Sequence, residues 1–585
     1  MHQIKFLFFG ILSIILVSCG SNSENSDGTE SLLKKANGER YYGGILRINE
    51  SEYIRNLFPH NITDAYSYRV ASQIYEGLFK FNDKTLEVVP NLVESYDVDG
   101  SGTIYTFHLK DSVYFHDDKC FEEGKGRKLT AEDVKYSFTR LCTSNSNNQG
   151  FASIFKGVLK GADKYYEATK NGLTPDGGVE GIRIIDDLTI ELTLVEPNSI
   201  LTVHLARPAC FIYPKEAEDL YGQDMRIKAV GTGPFYISDV DEEVAIILKK
   251  NKNYHQKDQF GNRLPLLDAV TIQFIKDKKS ELFEFKKGNL DMIYRLPTEF
   301  IIEILEESEP GSNGEYSQFE LQRSPEMATQ FISFNTQSGI FRNNNVRKAF
   351  SFAIDRSKIL DFVLNGEGFA PGNHGITPPV LVNYEIEKIN GYSLNVDSAR
   401  YYLGRAGYPE GKGFPKITFY FNAEGNRNTL VATEIQKQLK DHLNIDMDLE
   451  LLPFAQLVEK AINGDYEIMR AAWLADYPSA ENFLWIFQGK DVPRSAGQAS
   501  YPNITRYNNT TFDRLFNRAL YAGSIEEANR YFMQAENTLM NDAPMLVLWY
   551  DEGYRLLQSY VKNFPNNPMQ YRDLGHVYFE KPEAL

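Results

Sequence analysis

Four cysteines and nine histidines are the side chains of this 585-residue chain best suited to covalent or metal chemistry. Their spacing argues against most of it. Cys19, Cys120, Cys142 and Cys210 form no Cys-x-x-Cys pair and the histidines are scattered, so neither a metal site nor a cofactor is expected. No Gly-x-Ser-x-Gly, His-Glu-x-x-His or P-loop string is present, which removes common hydrolase, metalloprotease and nucleotide-binding signatures. His116-Asp117 reads as a turn. Cys120 and Cys142 could pair in an oxidising compartment, or all the internal cysteines could be buried thiols. Catalysis is therefore not expected.

Cys19 has a different setting. Lys5 supplies a positive start, Phe6 to Val17 is apolar apart from Gly10 and Ser13, and small residues follow. That order reads as a secretory signal. It is too short to cross a bilayer, which takes about 20 residues. Leu16-Val17-Ser18-Cys19 resembles the bacterial lipobox, whose Cys is lipidated and becomes the new N-terminus. The alternative is an ordinary signal peptide with a chance Cys. Gly20 to Arg40 is rich in Ser, Asn, Gly and Glu and cannot bury enough apolar surface to fold, so residues 20–40 are expected to be a disordered tether.

Residues 41–585 are too many for one hydrophobic core, and two or more domains are expected. The net charge of −17 argues against nucleic acid as a partner. No second apolar run approaches membrane-spanning length. Thr130 is placed to cap a helix carrying Val134, Phe138 and Leu141 on one face. Val346, Ala349, Phe350, Ala353 and Ile354 predict a second amphipathic helix. Ile417, Phe419 and Phe421 alternate as a strand, Val431, Ile435, Leu439 and Leu443 follow as a helix, and Ile445, Met447, Leu449 and Leu451 alternate again. This order predicts a βαβ unit, and the fold class is α/β.

A series of strings then falls into a family's order. Gly43-Gly44-Ile45-Leu46-Arg47-Ile48, Tyr75-Glu76-Gly77-Leu78, Val89-Pro90-Asn91-Leu92, Leu129-Thr130-Ala131-Glu132-Asp133-Val134, Gly231-Thr232-Gly233-Pro234-Phe235, Val346-Arg347-Lys348-Ala349-Phe350 and Ala406-Gly407-Tyr408-Pro409 succeed one another. Together they resemble the substrate-binding proteins of ABC importers, dipeptide/oligopeptide-binding family (family 5). The resemblance implies two hinged α/β lobes that close on a ligand like a clamp, with an extra domain inserted in the first. It implies a signal peptide over 1–19, the tether over 20–40, lobe 1 from 41–75, 190–325 and 545–585, the inserted domain over 76–189, and lobe 2 over 326–544. Strands near Phe331–Phe334 and Leu546–Leu548 would form the hinge. One departure is the enlarged loop from Asp118 to Lys128.

The resemblance also implies a site. In Arg470-Ala471-Ala472-Trp473-Leu474-Ala475-Asp476-Tyr477-Pro478, the position of Asp476 is that of an Asp pairing with a peptide's α-ammonium. Read without the family, Asp476 serves equally as a turn cap before Pro478. Arg470 would meet a peptide carboxylate, or else make a structural salt bridge. Trp473 would wall a side-chain pocket or else be a core Trp, Tyr477 would be a further ligand contact, and Glu52 in Ser51-Glu52 would help hold the ammonium or else be a solvated Glu. Relatives carry a Cys where Leu474 stands, so their disulfide there is not expected. The partners implied are a peptide ligand, an ABC permease with its ATPase subunits, and a membrane reached through the lipid on Cys19. The protein would act as a monomer in the cell envelope, facing the periplasm or exterior. The rival ligands are an oligosaccharide, a nickel chelate or haem, and the rival class is a surface or signalling lipoprotein.

Overall fold

Ile417, Phe419 and Phe421 are all buried on the strand Ile417–Asn422. The helix Arg427–Leu443 then packs Val431, Ile435, Leu439 and Leu443 inward and leads to the strand Met447–Leu452. The two strands run parallel, Ile417 opposite Met447, which makes the expected βαβ unit. The helix Asn344–Ala353 buries Val346, Ala349, Phe350 and Ala353 on one face and ends at Ile354, whose backbone is extended. These elements belong to a computed structural model describing residues 33–309, 311–422, 427–493 and 498–580. Cys19 and the signal segment lie outside the described residues.

One sheet runs through both lobes. Its strands lie in the order Phe235–Asp241, Ala245–Lys250, Ala269–Gln273, Ile45–Asn49, Met292–Tyr294, Met545–Gln558, Phe319–Phe334, Ile468–Leu474, Ile417–Asn422 and Met447–Leu452. The first five form the lobe 1 side and the last three the lobe 2 side. The long antiparallel pair Phe319–Phe334 and Met545–Gln558 joins them. Its pairing is regular from Phe319 opposite Gln558 to Pro325 opposite Glu552, breaks, and resumes at Thr329 opposite Tyr550. Pro325 has no N–H to donate, so a ladder is most easily interrupted there. The break lies a few residues before the expected Phe331–Phe334.

The pairing refines the lobe boundaries. The segment 545–585 expected in lobe 1 starts too early, because residues 545–550 pair with Thr329–Ser333 and Ala370–Pro371 on the lobe 2 side. Lobe 1 partners begin at Glu552. The inserted domain holds a four-stranded antiparallel sheet in the order Val93–Val98, Ile104–Leu109, Thr189–Thr193, Ile182–Asp186, and so runs past residue 189. The helix Ala131–Leu141 packs on it, with the Thr130 N–H donated to the Asp133 carboxylate at 2.9 Å. The enlarged loop is pinned through Arg127, which pairs with Asp133 at 2.6 Å and Glu216 at 2.7 Å.

The tether reading is too long at its C-terminal end. Lys34–Lys35 pairs with Tyr41–Tyr42 as a small hairpin. The Asn37 N–H donates to Asn262 Oδ1 at 2.9 Å, and Arg40 pairs with Asp258 at 3.0 Å. These polar contacts order residues 33–40, which the apolar content alone could not. Cys120, Cys142 and Cys210 are all free thiols, Cys142 and Cys210 buried and Cys120 partly so. Several of the family strings meet in space. Glu76 accepts from Thr232 Oγ1 at 2.8 Å and Tyr254 Oη at 3.0 Å, and the His116 N–H donates to the Gly231 carbonyl at 2.8 Å. A side chain at Gly231 would collide with the Ile74 carbonyl, so glycine is required by close approach.

Candidate ligand cleft

The strand Ile468–Leu474 ends where the two lobes meet. Ala328 stands opposite Leu474 in the ladder, and the Ala475 N–H donates to the Met327 carbonyl at 2.9 Å. The chain then turns through Asp476, Tyr477 and Pro478 into the short helix Ala480–Leu484, capped by Ser479. Asn482 on that helix organises the turn. Its Oδ1 accepts the Asp476 N–H at 3.2 Å and Trp473 Nε1 at 2.9 Å. Trp473 is half-buried, with its ring 6.2 Å from that of Trp485.

Asp476 has an exposed side chain and makes no ion pair among the described residues. Protein nonetheless crowds its carboxyl. Burial pushes the pKa above its ordinary value of 3.8, while the charge of Arg207 and the amide of Asn482 pull it back. The phenol of Tyr501, itself 62% exposed, lies near enough to feel the same carboxylate.

Arg207 reaches this turn from the other side of the cleft. Its guanidinium lies 4.4 Å from the centre of the Tyr477 ring and donates to the Ser153 carbonyl at 3.2 Å and Ser153 Oγ at 3.3 Å. His204 meets the same ring edge-on at 5.5 Å. Nearby, Ser199 donates its N–H to the Leu520 carbonyl and its hydroxyl to the Ala519 carbonyl, both at 3.0 Å. These contacts join residues 153–207 to lobe 2, so the clamp is shut along this edge. Tyr477 is buried inside that contact, and its hydroxyl donates to the buried Glu481.

The other expected site residues are placed differently. Arg470 is buried and donates to Asn422 Oδ1 at 3.0 Å and Gln330 Oε1 at 2.6 Å. Gln330 in turn donates to Asp551 at 2.6 Å, and Asp551 accepts from Trp549 Nε1 at 2.8 Å and Arg427 at 3.3 Å. Arg470 is thus part of a network reaching the crossing strands. Glu52 is exposed and faces Lys276 at 3.9 Å. The buried acid of that segment is Glu50, which pairs with Arg69 at 2.8 Å and with Arg572.

The break in the crossing strands holds a further acid. Glu326 accepts from the Tyr294 hydroxyl and from Arg295 at 3.2 Å. Burial and then the charge of Asp551 raise its pKa to about 8, against the pull of Arg69, Arg427 and Arg555. Sequence reasoning missed Glu326, Asn482, Tyr501 and Arg207. Only Glu326 left a signal, as a charged residue after Pro325 in an otherwise strand-forming run. No group of three or more His, Cys, Asp or Glu able to hold a metal occurs among the described residues. No helix among them is long and apolar enough to cross a membrane.

Two α/β lobes joined by a pair of crossing strands, with a polar site between them, define a clamp-type binding protein. The chain belongs to the bacterial extracellular solute-binding proteins, family 5, whose family model matches residues 87–493. Among curated proteins, it is 26% identical over 530 residues to heme-binding protein A of Haemophilus influenzae, covering 88% of each chain. It is 25% identical over 521 residues to the periplasmic murein peptide-binding protein MppA of Escherichia coli, covering 88% of this chain and 89% of that one. Among solved structures, it matches the periplasmic binding protein DppA of Helicobacter pylori in complex with the peptide STSA. The TM-score is 0.72 at 24% identity, over 93% of this chain and 99% of that one.

Proposed function

We propose that this protein captures short peptides between its lobes and delivers them to an ABC permease, held at a membrane by lipid on Cys19. The observation that carries the peptide reading is Asp476. It is a carboxylate at the lip of the cleft, with its backbone fixed by Asn482 and no ion pair among the described residues. A carboxylate in that setting gains from a ligand ammonium through a charge-assisted hydrogen bond. An extended peptide would be held through main-chain hydrogen bonds from both lobes, a mode that gives affinity with little dependence on ligand sequence. Arg207, Tyr501 and Trp473 would shape the surrounding walls.

Closure follows from contacts the ligand makes with both lobes, which shift an open–closed equilibrium towards the form the permease reads. The protein works as a monomeric receptor without catalysis. The test is mass spectrometry of small molecules released from the purified protein by mild denaturation. A ladder of short peptides is the expected result. A sugar or metal chelate would overturn the peptide reading and the role of Asp476 while leaving the clamp. Haem is the second reading, favoured by the similarity to the Haemophilus protein, and an absorption spectrum of the same sample separates it.

A further inference from the structure

A cavity of about 650 Å³ opens on lobe 1, away from Asp476. It lies between the turn at 112–114 of the inserted domain and the loop 253–263, and is lined by Ser112, Tyr114, Asn253, His255, Lys257 and Arg263, with Tyr254. Its floor is already satisfied: Tyr254 Oη and His255 Nε2 both contact Glu76, at 3.0 and 3.1 Å. Its rim is not. The side chains of Ser112, Tyr114 and Lys257 have no hydrogen bond or ion pair among the described residues, and Arg263 makes only one bond, to the Lys252 carbonyl at 3.2 Å. Lys252, Lys257 and Arg263 are exposed and lack a carboxylate partner there. The local acids are engaged, Asp111 by Lys128 and Asp258 by Arg40. The exposed acids on the hairpin side, Glu39 and Asp268, do not line the cavity.

This grouping stands out in a chain of net charge −17. It also adjoins the place where the chain enters the body. The tip of the same loop clasps the N-terminal hairpin through Asn262 and Asp258, and the hairpin carries the exposed Lys34 and Lys35. Lys250 adds a further ammonium, 4.7 Å from the Tyr42 ring. If Cys19 carries the lipid, residues 20–32 could span at most about 45 Å when fully extended, which holds this face within reach of the membrane surface. That step rests on the anchor reading, whereas the cavity and its charges do not.

We propose that this cavity binds a phosphate-bearing anion, with the Lys257 ammonium and Arg263 guanidinium on the phosphate and the Ser112 and Tyr114 hydroxyls donating beside them. Two sources share this chemistry, an anionic phospholipid headgroup and a soluble phosphate compound. Arg matches phosphate oxygens through its planar fork, and a cluster of basic side chains at an anionic surface gains affinity for each charge it presents.

The test uses the chain from Leu33 onward, which forms one compact unit and lacks Cys19, so that failure of the anchor reading cannot be mistaken for failure of this one. Co-sedimentation is measured with phosphatidylglycerol–phosphatidylcholine vesicles and with pure phosphatidylcholine vesicles. Titration calorimetry follows inorganic phosphate and glycerol 3-phosphate. Both are repeated on Lys257→Gln/Arg263→Gln, with thermal melting as the check on folding. Binding to the anionic vesicles alone, weakened roughly thirtyfold in the double variant, supports the headgroup source. Binding of the soluble phosphates, weakened similarly, supports the soluble source. No binding to any probe, or binding that the double variant leaves unchanged, overturns the proposal. Should that variant melt early, Lys257→Gln alone is expected to lose roughly fivefold, and its full retention would overturn the proposal as well.

Discussion

Arg470 lies within the strand Ile468–Leu474 and Asp476 in the turn just beyond its end, yet the molecule treats them in opposite ways. Arg470 is buried and shared between Asn422 and Gln330. Asp476 is exposed, with only its backbone fixed. A strand that runs from a lobe's core to the cleft carries its residues from a dry interior to a wet rim. Charge in the interior must be spent on scaffold, because an unpaired buried charge is costly. Charge at the rim can be left for a ligand. The lesson is that a string shared with binding proteins can hold two charges with two different jobs.

The largest test of this contrast is Arg470→Ala. It removes a buried donor from Asn422 and Gln330 and is expected to cost about 3 kcal/mol of stability, seen as a lowered urea midpoint of the ligand-free protein. A variant that keeps its stability but loses peptide affinity would invert the contrast and place Arg470 in the site. Asp476→Ala should do the reverse, weakening peptide binding at least about tenfold while ligand-free melting barely changes. Arg207→Ala removes the guanidinium from the Tyr477 ring, an interaction worth about 1 kcal/mol. Affinity should fall a few-fold, and small-angle scattering without ligand should report a larger open population.

Two pH effects sharpen the same comparison. The ammonium contact proposed for Asp476 needs its ionised form. Because its pKa is raised, affinity should begin to fall on acidification at a higher pH than an ordinary carboxylate of 3.8 would give. Asp476→Asn should flatten that profile. Glu326 acts on stability. In the folded protein it holds its proton to about pH 8, whereas the unfolded chain releases it near the ordinary 4.5. The stabilisation is therefore fully present below pH 4.5 and is lost as pH rises towards 8. Comparing urea midpoints of the wild type and Glu326→Gln across that window should show the slope removed in the variant.

Much of this architecture was legible from local pattern. The βαβ unit of residues 417–452 and the helix from Asn344 follow from apolar spacing, which depends on neighbours in sequence, whereas the crossing strands, paired across more than 200 residues, were expected only from the family resemblance. Glu52 matches its reading as a solvated acid, and the string around it shows where such reasoning stops. Ser51-Glu52 fits the family string, but Glu50 is the buried acid, and that is decided by Arg572 at the far end of the chain. Arg207 gave no local sign at all, because nothing in its spacing links it to Tyr477. The ordered hairpin at 33–42 was missed for the same reason. Its partners, Asp258 and Asn262, lie more than 200 residues away and act through polar contacts that composition does not register.

The crossing strands have a consequence for how the molecule is made. Lobe 2 is drawn from one uninterrupted stretch that ends near Tyr550, whereas lobe 1 is stitched from both ends of the chain, with Met292–Tyr294 paired to residues 555–557. A polypeptide emerging N-terminus first can therefore complete lobe 2 before the central sheet of lobe 1 has its last strand. Until residues 552–558 arrive, the Ile45–Asn49 side of lobe 1 has an open edge, Met292–Tyr294. Residues 552–558 are thus the segment that seals the first lobe, and a chain truncated just after Tyr550 should leave lobe 2 intact beside an unfinished partner.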